Sequence, residues 1–198
     1  VYICGLGVPT FNKNQRILIE ILKYCDKYNA RCSVFSNLSQ LTEELIYFIQ
    51  KGVLHIFFKY DSYNPVITQT LYGTQNIKNQ LRNIDRIKNL VQVTDGVTNM
   101  AASIVPNRLN RDDIVLIVKE CLEANIFPLL GELELSGKGE TNYANLSLTS
   151  EELFQLKQEV EEALGEDYII PVCPSVIAGI HFSHDGYITV DQYTGLSC

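Results

Sequence analysis

The sequence contains no Trp, one Met and three His among its 198 residues, and several patterns typical of other protein classes are missing. No run of about 18 apolar residues occurs, so we do not expect a membrane-spanning helix. No Cys-x-x-Cys pair occurs either. Since zinc ribbons and thioredoxin-type sites are built on that pair, both are excluded.

Basic residues are also fewer than acidic residues. Sixteen Lys and Arg stand against 23 Asp and Glu, which gives a net charge of −7. A surface that coats nucleic acid needs clustered Lys and Arg to displace counterions, so a nucleic-acid partner is not favoured. The length suits one domain with a sizeable core.

The six cysteines, at positions 4, 25, 32, 121, 173 and 198, are too sparse for a disulfide framework. Cys25, Cys32 and Cys121 fall in or beside predicted helices and strands, and we expect them to be small buried hydrophobes. Free thiols persist in a reducing compartment, so we expect a cytoplasmic protein.

Apolar runs alternate with amphipathic segments along residues 1–165, and we predict five strands and five helices. The predicted strands are residues 1–7, 31–36, 53–59, 99–105 and 126–132. The predicted helices are residues 12–28, 39–51, 76–90, 110–124 and 149–164. Because strands and helices that alternate with short connections form a parallel sheet covered by helices, the predicted fold class is α/β. The pattern alone leaves open whether the sheet is doubly wound or a partial barrel.

The pattern changes after Gly165. Residues 169–198 carry an Asp185-Gly186 turn between short apolar pairs, which predicts a β-hairpin. We therefore divide the chain into a core, residues 1–165, and a hairpin extension, residues 166–198. His181 and His184 flank the turn, and we expect them on the hairpin surface rather than in catalysis.

Polar and glycine-rich segments follow the predicted strands, at the edge where parallel sheets bind ligands. These segments are Gly5-Leu6-Gly7-Val8-Pro9-Thr10, Ser36-Asn37, Lys59-Tyr60-Asp61-Ser62, Asp95-Gly96 with Asn99, and Gly131-Glu132. Each could be ordinary turn chemistry, but together they predict a binding site over one edge of the sheet.

The Gly5-x-Gly7 pair does not complete a dinucleotide-binding fingerprint. The third glycine of that fingerprint falls at Thr10, and Pro9 lacks the backbone N–H that a pyrophosphate requires. A nicotinamide or flavin dinucleotide is therefore not expected.

The same segments, taken in order, resemble those of radical S-adenosylmethionine (radical SAM) enzymes. Gly5-Leu6-Gly7-Val8-Pro9-Thr10 resembles the Gly-Gly-Glu-Pro motif on the second strand of that family's barrel. Ser36-Asn37 resembles the Thr-Asn-Gly motif on the third strand, and Lys59 with the residues after it falls at the end of the fourth. The resemblance covers most of the chain and implies a partial (β/α) TIM-type barrel.

The resemblance also implies cofactors and site residues. Gly5, Gly7, Pro9 and Thr10 match positions along the methionyl end of S-adenosylmethionine (AdoMet). Ser36, Lys59 and Asn99 match further cofactor contacts, and Glu132 follows the last core strand, within reach of cofactor or substrate. The family uses AdoMet and a [4Fe–4S] cluster to generate a 5′-deoxyadenosyl radical, which takes hydrogen from a substrate. The implied partners are a small-molecule or peptide substrate and an electron donor such as a flavodoxin or ferredoxin.

Two departures from the family concern iron–sulfur clusters. The Cys-x-x-x-Cys-x-x-Cys loop is absent, and Val8 replaces the motif glutamate. We therefore expect that the sequence starts at the second barrel strand and does not cleave AdoMet by itself. Cys173, Gly186 and Cys198 resemble the start of an auxiliary [4Fe–4S] module, but Asp191 stands where its next cysteine belongs. The implied auxiliary ligands are Cys173, Cys198 and Asp191.

Two other functions fit the same residues. Lys59 at a strand end could form a Schiff base in a lyase or aldolase, since a lysine in a dry barrel can act as a nucleophile. A barrel without its cluster loop could also be a non-catalytic module that binds a peptide or a protein partner.

Overall fold

A five-stranded parallel sheet organises the protein. The computed structural model describes residues 2–3, 10, 12–73, 77–131, 133, 138–164, 181–182 and 188–189. The strands in these ranges are β1 (Tyr2–Ile3), β2 (Cys32–Ser36), β3 (Leu54–Lys59), β4 (Val93–Thr94), β5 (Val97–Thr98), β6 (Met100–Ile104), β7 (Phe127–Leu130), β8 (His181–Phe182) and β9 (Ile188–Thr189). The main sheet has the order β1-β2-β3-β6-β7, and every neighbouring pair in it is parallel.

Helices connect the strands of the main sheet. They are α1 (Asn12–Lys27), α2 (Glu43–Gln50), α3 (Pro65–Tyr72), α4 (Ile77–Lys88), α5 (Ile114–Glu123), α6 (Lys138–Leu146) and α7 (Ser150–Leu164), with a 3-10 turn at Arg111–Asp113. The predicted α/β fold with parallel strands and outer helices is confirmed. Five strands make a partial barrel, because a complete TIM barrel closes with eight. No helix in the described part of the chain is long and apolar enough to cross a membrane.

The sequence patterns did not predict α3. Pro65 opens this helix, the Asn64 side chain accepts a hydrogen bond from the Val66 N–H, and Gly73 ends it with a left-handed φ of 62°. Proline at the first helical position and glycine just after the last are ordinary helix boundaries. The helix is only 8 residues long, and its single fully buried side chain, Thr68, left little hydrophobic periodicity to read.

Two short antiparallel pairings lie outside the main sheet. β4 pairs with β5 across Asp95-Gly96, and both turn residues have positive φ, as two-residue hairpins require. We did not predict this hairpin. β8 pairs with β9, so the predicted hairpin near the end of the chain is confirmed, although its turn lies outside the described residues.

One face of the main sheet packs against the helices and forms the core. Its side chains alternate along each strand with those of the other face, and Val34, Ile56, Phe58 and Ile104 are fully buried on it. Helix side chains such as Leu22 complete this cluster. Burial of large aliphatic side chains is the main stabilising contribution to the fold.

The opposite face is more open. The strand register places Phe35, Phe57, Ala101 and Phe127 side by side in one row. The rings of Phe35 and Phe57 stack with their centroids 5.0 Å apart. Phe35 is 39% exposed and Phe127 is 42% exposed. This face corresponds to the inside of a barrel, where side chains from successive strands meet.

Substitutions on the two faces should differ in their cost. Ile56→Ala removes a fully buried side chain, so we expect the free energy of unfolding to fall by about 2–5 kcal/mol. Phe35→Ala removes a half-exposed ring that stacks on one neighbour, and we expect a loss of about 1 kcal/mol. Urea denaturation of both variants measures the difference. Equal losses would contradict the assignment of the helix-covered face as the core.

Candidate functional site

Two hydroxyl groups meet at the carboxyl ends of β1 and β2. Thr10 follows β1, Ser36 is the last residue of β2, and their hydroxyl oxygens lie 2.9 Å apart. Thr10 is 0% exposed and Ser36 is 5% exposed. The Ser36 hydroxyl also accepts a hydrogen bond from the Leu38 N–H at 3.0 Å. The prediction that these two residues belong to one edge of the sheet therefore agrees with the geometry.

The donors of the Thr10–Ser36 pair are not all accounted for by hydrogen bonds among the described residues. Each hydroxyl carries one O–H donor, and a single donor accounts for the bond between Thr10 and Ser36. The second O–H has no acceptor among the described residues. Because an unsatisfied buried donor costs about 1–3 kcal/mol, an acceptor oxygen of a ligand is a suitable partner for this pair.

Lys59 ends the neighbouring strand β3. Its register partner on β6 is Ser103, and the alternation along β3 places Lys59 on the open face, whereas Ser36 pairs with Phe58 on the helix-covered face. A ligand that contacts both Ser36 and Lys59 must therefore lie across the carboxyl edge of the sheet. Parallel sheets bind their ligands in this position.

The ammonium group of Lys59 lies beside a buried carboxylate. Its Nζ atom is 3.3 Å from Oδ2 of Asp61, and the side chains are 38% and 5% exposed, respectively. Oδ1 of Asp61 accepts the Val105 N–H at 2.6 Å, and Oδ2 accepts the Tyr72 hydroxyl at 2.8 Å. Burial, and then the charge of Asp61, raise the pKa of Tyr72 well above its ordinary value, so Tyr72 stays a neutral donor.

Asparagine side chains hold the loops at this edge. Nδ2 of Asn110 donates to the carbonyl oxygens of Asp61 and Val105 at 2.8 and 3.0 Å. Oδ1 of Asn110 accepts the Asn107 N–H at 2.7 Å. Asn110 thereby links the chain segments that leave β3 and β6, next to Asp61, the ion-pair partner of Lys59.

Asn99 lies apart from Thr10, Ser36 and Lys59, and its contact with a cofactor stays a prediction. It precedes the first residue of β6, at the amino end of the sheet and opposite Thr10, Ser36 and Lys59. Nδ2 of Asn99 donates to the Ile49 carbonyl, and Oδ1 accepts the Gln92 N–H, both at 2.9 Å. Both ends of its buried amide thus serve the packing of α2 and the β4–β5 hairpin against the sheet.

The remaining predicted site residues lie outside the described residues. They are Gly5, Gly7, Pro9, Glu132, Cys173, Asp191 and Cys198. Their assignment to AdoMet, substrate or an auxiliary cluster stays a prediction.

A polar cleft of about 510 Å³ lies at the opposite, amino end of the sheet. Asp26 and Lys51 form an ion pair there at 2.5 Å, and His55 lies on the same wall. Burial, and then the charge of Arg31, lower the pKa of His55. Since parallel sheets bind ligands at the carboxyl ends of their strands, this cleft is not the expected ligand site.

Solved structures share the arrangement of this chain. It matches a domain of a pyruvate-formate lyase-activating enzyme from Bacteroides vulgatus with a TM-score of 0.55 and 19% identity, over 82% of this chain and 93% of that one. It matches Streptococcus suis SuiB with a TM-score of 0.61 and 12% identity, over 84% and 37%. It matches anSMEcpe, solved with bound AdoMet and a peptide, with a TM-score of 0.63 and 14% identity, over 98% and 61%.

These neighbours are radical SAM enzymes. This chain shares their fold. No family model matches the sequence, and no curated protein matches it. The likeness therefore concerns the fold, and the chain spans only 37% of SuiB and 61% of anSMEcpe.

The described part of the chain holds no cluster of metal ligands of the kind that radical SAM enzymes use. No three His, Cys, Asp or Glu side chains among the described residues are grouped to hold a metal ion. Cys25, Cys32 and Cys121 are free and buried, as predicted. Burial is the main cause that raises the pKa of Cys32 to about 11 and that of Cys121 to about 12, so these thiols stay protonated and are poor ligands.

The sequence patterns did not identify two buried carboxamides near the carboxyl edge of the sheet. Nε2 of Gln80 donates to the Lys59 carbonyl at 3.2 Å, and Nδ2 of Asn83 donates to the Leu38 carbonyl at 2.8 Å. Both lie on the buried face of α4. A polar residue at an apolar position of an amphipathic helix was the signal that could have identified them.

The buried hydrogen bonds of Asn99 predict a loss of stability when its side chain is removed. Asn99→Ala leaves the Ile49 carbonyl and the Gln92 N–H without their buried partner, so we expect the free energy of unfolding to fall by about 2 kcal/mol. Asn89→Ala, which removes one exposed bond to the Asp85 carbonyl, is the matched control and should cost much less. Urea denaturation compares the two. A stable Asn99→Ala protein would show that the amide is available for a ligand.

Proposed function

We propose that this chain is the AdoMet-binding core of a radical SAM enzyme. The observation that carries the proposal is the buried Thr10–Ser36 hydroxyl pair, one of whose donors has no acceptor among the described residues, at the same edge of the sheet as the Lys59 ammonium. The fold shared with an AdoMet-bound neighbour supports the choice of ligand.

The methionyl end of AdoMet suits these groups chemically. The carboxylate of AdoMet offers acceptor oxygens to the second O–H of the Thr10–Ser36 pair and to the ammonium group of Lys59. Hydrogen bonds in which a partner is charged are stronger than those between neutral groups. Ser36 and Lys59 are the last residues of adjacent strands, and adjacent strands lie about 4.8 Å apart. One carboxylate lying across the edge is therefore within the span of both side chains.

The cysteines of the 198-residue sequence do not fit the [4Fe–4S] cluster that radical SAM enzymes pair with AdoMet, because the three-cysteine loop is absent. We propose that residues other than these hold that cluster in the complete protein. There the cofactor supplies hydrogen abstraction from the substrate, and the protein supplies binding, orientation and exclusion of water. The substrate is a small molecule or a peptide, the electron donor is a flavodoxin or ferredoxin, and the compartment is the cytoplasm.

Two other functions are less well supported. A Schiff-base lyase needs an unpaired amine, whereas Nζ of Lys59 lies in an ion pair with Asp61. A non-catalytic barrel fits the missing cysteine loop, and it is separated from an enzyme by whether the complete protein converts AdoMet to 5′-deoxyadenosine under reducing conditions.

AdoMet binding should depend on the carboxyl edge of the sheet. We expect Thr10→Val and Lys59→Met each to raise the Kd for AdoMet roughly tenfold or more, because each removes a donor to a charged ligand group. Isothermal titration calorimetry of the wild type and both variants gives the comparison.

Thr98→Val is the matched control for Thr10→Val. The Thr98 hydroxyl hydrogen-bonds to Met100 at the amino end of the sheet, so its loss should leave the Kd unchanged. An unchanged Kd in Thr10→Val and Lys59→Met, or an equal effect of Thr98→Val, would argue against the proposed site.

A further inference from the structure

We propose that Asp61 is a positioning residue for AdoMet binding: it holds the ammonium group of Lys59 at the carboxyl edge of the sheet, and Tyr72 fixes Asp61 in turn. The inference rests on the proposed function. It gives a specific role to Asp61, which the sequence placed only within a polar segment, and to Tyr72, which no sequence motif included. Asp61 acts through Lys59 and does not itself contact the ligand.

Two hydrogen bonds fix the carboxylate of Asp61, one to each oxygen. The Val105 N–H binds Oδ1 at 2.6 Å, and the Tyr72 hydroxyl binds Oδ2 at 2.8 Å. The backbone of Asp61 is held as well, since its N–H donates to the Tyr72 hydroxyl at 3.1 Å and its carbonyl accepts Nδ2 of Asn110 at 2.8 Å. These bonds hold the carboxylate in one orientation, so it contacts Lys59 at one fixed position.

The contact with Asp61 lowers the entropy cost of ordering the Lys59 side chain when a ligand binds. A lysine side chain is long and flexible, and ordering it on ligand binding costs conformational entropy. The side chain is 38% exposed, and the contact with Oδ2 of Asp61 restricts it before the ligand arrives. An ammonium group has three donors, so this one contact leaves others for a ligand carboxylate.

The charges of AdoMet, Lys59 and Asp61 also favour this role for Asp61. AdoMet carries an amino group and a sulfonium, both positive, and one carboxylate, so its net charge is positive. Asp61 neutralises Lys59, and the pair can donate to the carboxylate without adding net positive charge to the site. Loss of Asp61 therefore removes the positioning of Lys59 and also adds repulsion for a cationic ligand.

A double-mutant cycle tests the coupling. Asp61→Asn keeps the shape of the side chain and an acceptor for the Val105 N–H. We expect it to raise the Kd for AdoMet about tenfold in the wild-type background, a size that contacting charged residues show in such cycles. In the Lys59→Met background the same substitution should raise the Kd clearly less, because the residue that Asp61 positions is gone and only the effect of its charge on the ligand remains.

A ligand analogue provides a second readout. 5′-Methylthioadenosine is uncharged and lacks the carboxylate that Lys59 is proposed to bind, so Asp61→Asn should not weaken its binding. A merely structural role of Asp61 would weaken the binding of both ligands alike.

Two tyrosine variants test the same role without depending on whether the Asp61 variant folds. Tyr72→Phe removes the hydroxyl that fixes Asp61 at this edge. Tyr60→Phe removes a similar bond, from a buried tyrosine hydroxyl to Glu120 at 2.9 Å, between β3 and α5. We expect similar losses of Tm in the two variants and a raised Kd for AdoMet only in Tyr72→Phe.

The outcomes separate this inference from the proposed function. If Lys59→Met weakens AdoMet binding but Asp61→Asn acts equally in both backgrounds, the AdoMet site stands and the positioning role is overturned. If the Kd rises as much in Tyr60→Phe as in Tyr72→Phe, the positioning role is also overturned. If neither Thr10→Val nor Lys59→Met changes the Kd, both proposals fail.

Discussion

The parallel register of β2, β3 and β6 is the constraint on which the site depends. Ser36 pairs with Phe58, and Lys59 pairs with Ser103, so the polar strand ends finish at the same level. Burial of Val34, Ile56 and Ile104 against the helices fixes that register, because a slip by one residue would turn each of these side chains to the open face. The hydrophobic core therefore determines which polar groups meet at the edge.

The elements with strong periodicity were predictable from the sequence. The strands around Val34 and Ile56 and the helices α1, α4 and α7 lie within the predicted ranges, with ends that differ by a few residues. Short elements such as α3 and the β4–β5 hairpin were missed, since two to eight residues carry too little pattern. The placement of Thr10, Ser36 and Lys59 followed from strand ends alone.

Asn99 is separated from the other predicted site residues for a topological reason. It was read as part of a strand with polar ends, and in a parallel sheet the first residue of a strand lies at the amino edge, away from the ligand edge. The contact of Asp61 with Val105 spans 44 residues and needs the register of β3 against β6. No local pattern contains that information, so the roles of Asp61 and Tyr72 emerge only from the folded structure.

The open face of the sheet and the missing cysteine loop have a common interpretation in the proposed enzyme. Phe35 and Phe127, at the two ends of the row on this face, are partly exposed here, and an inner barrel face is ordinarily covered by side chains of other strands or by a ligand. We propose that this chain contributes the AdoMet edge, while cluster and substrate complete the site in the whole protein.

Hydrogen–deuterium exchange of the backbone amides, with and without AdoMet, tests the central claim most directly. The account predicts slower exchange at the carboxyl edge, at Leu38 and at Asp61, and unchanged exchange around the amino-end cleft at Gly52 and His55. Protection confined to the amino-end cleft, or no protection at saturating AdoMet, would contradict the placement of the AdoMet site.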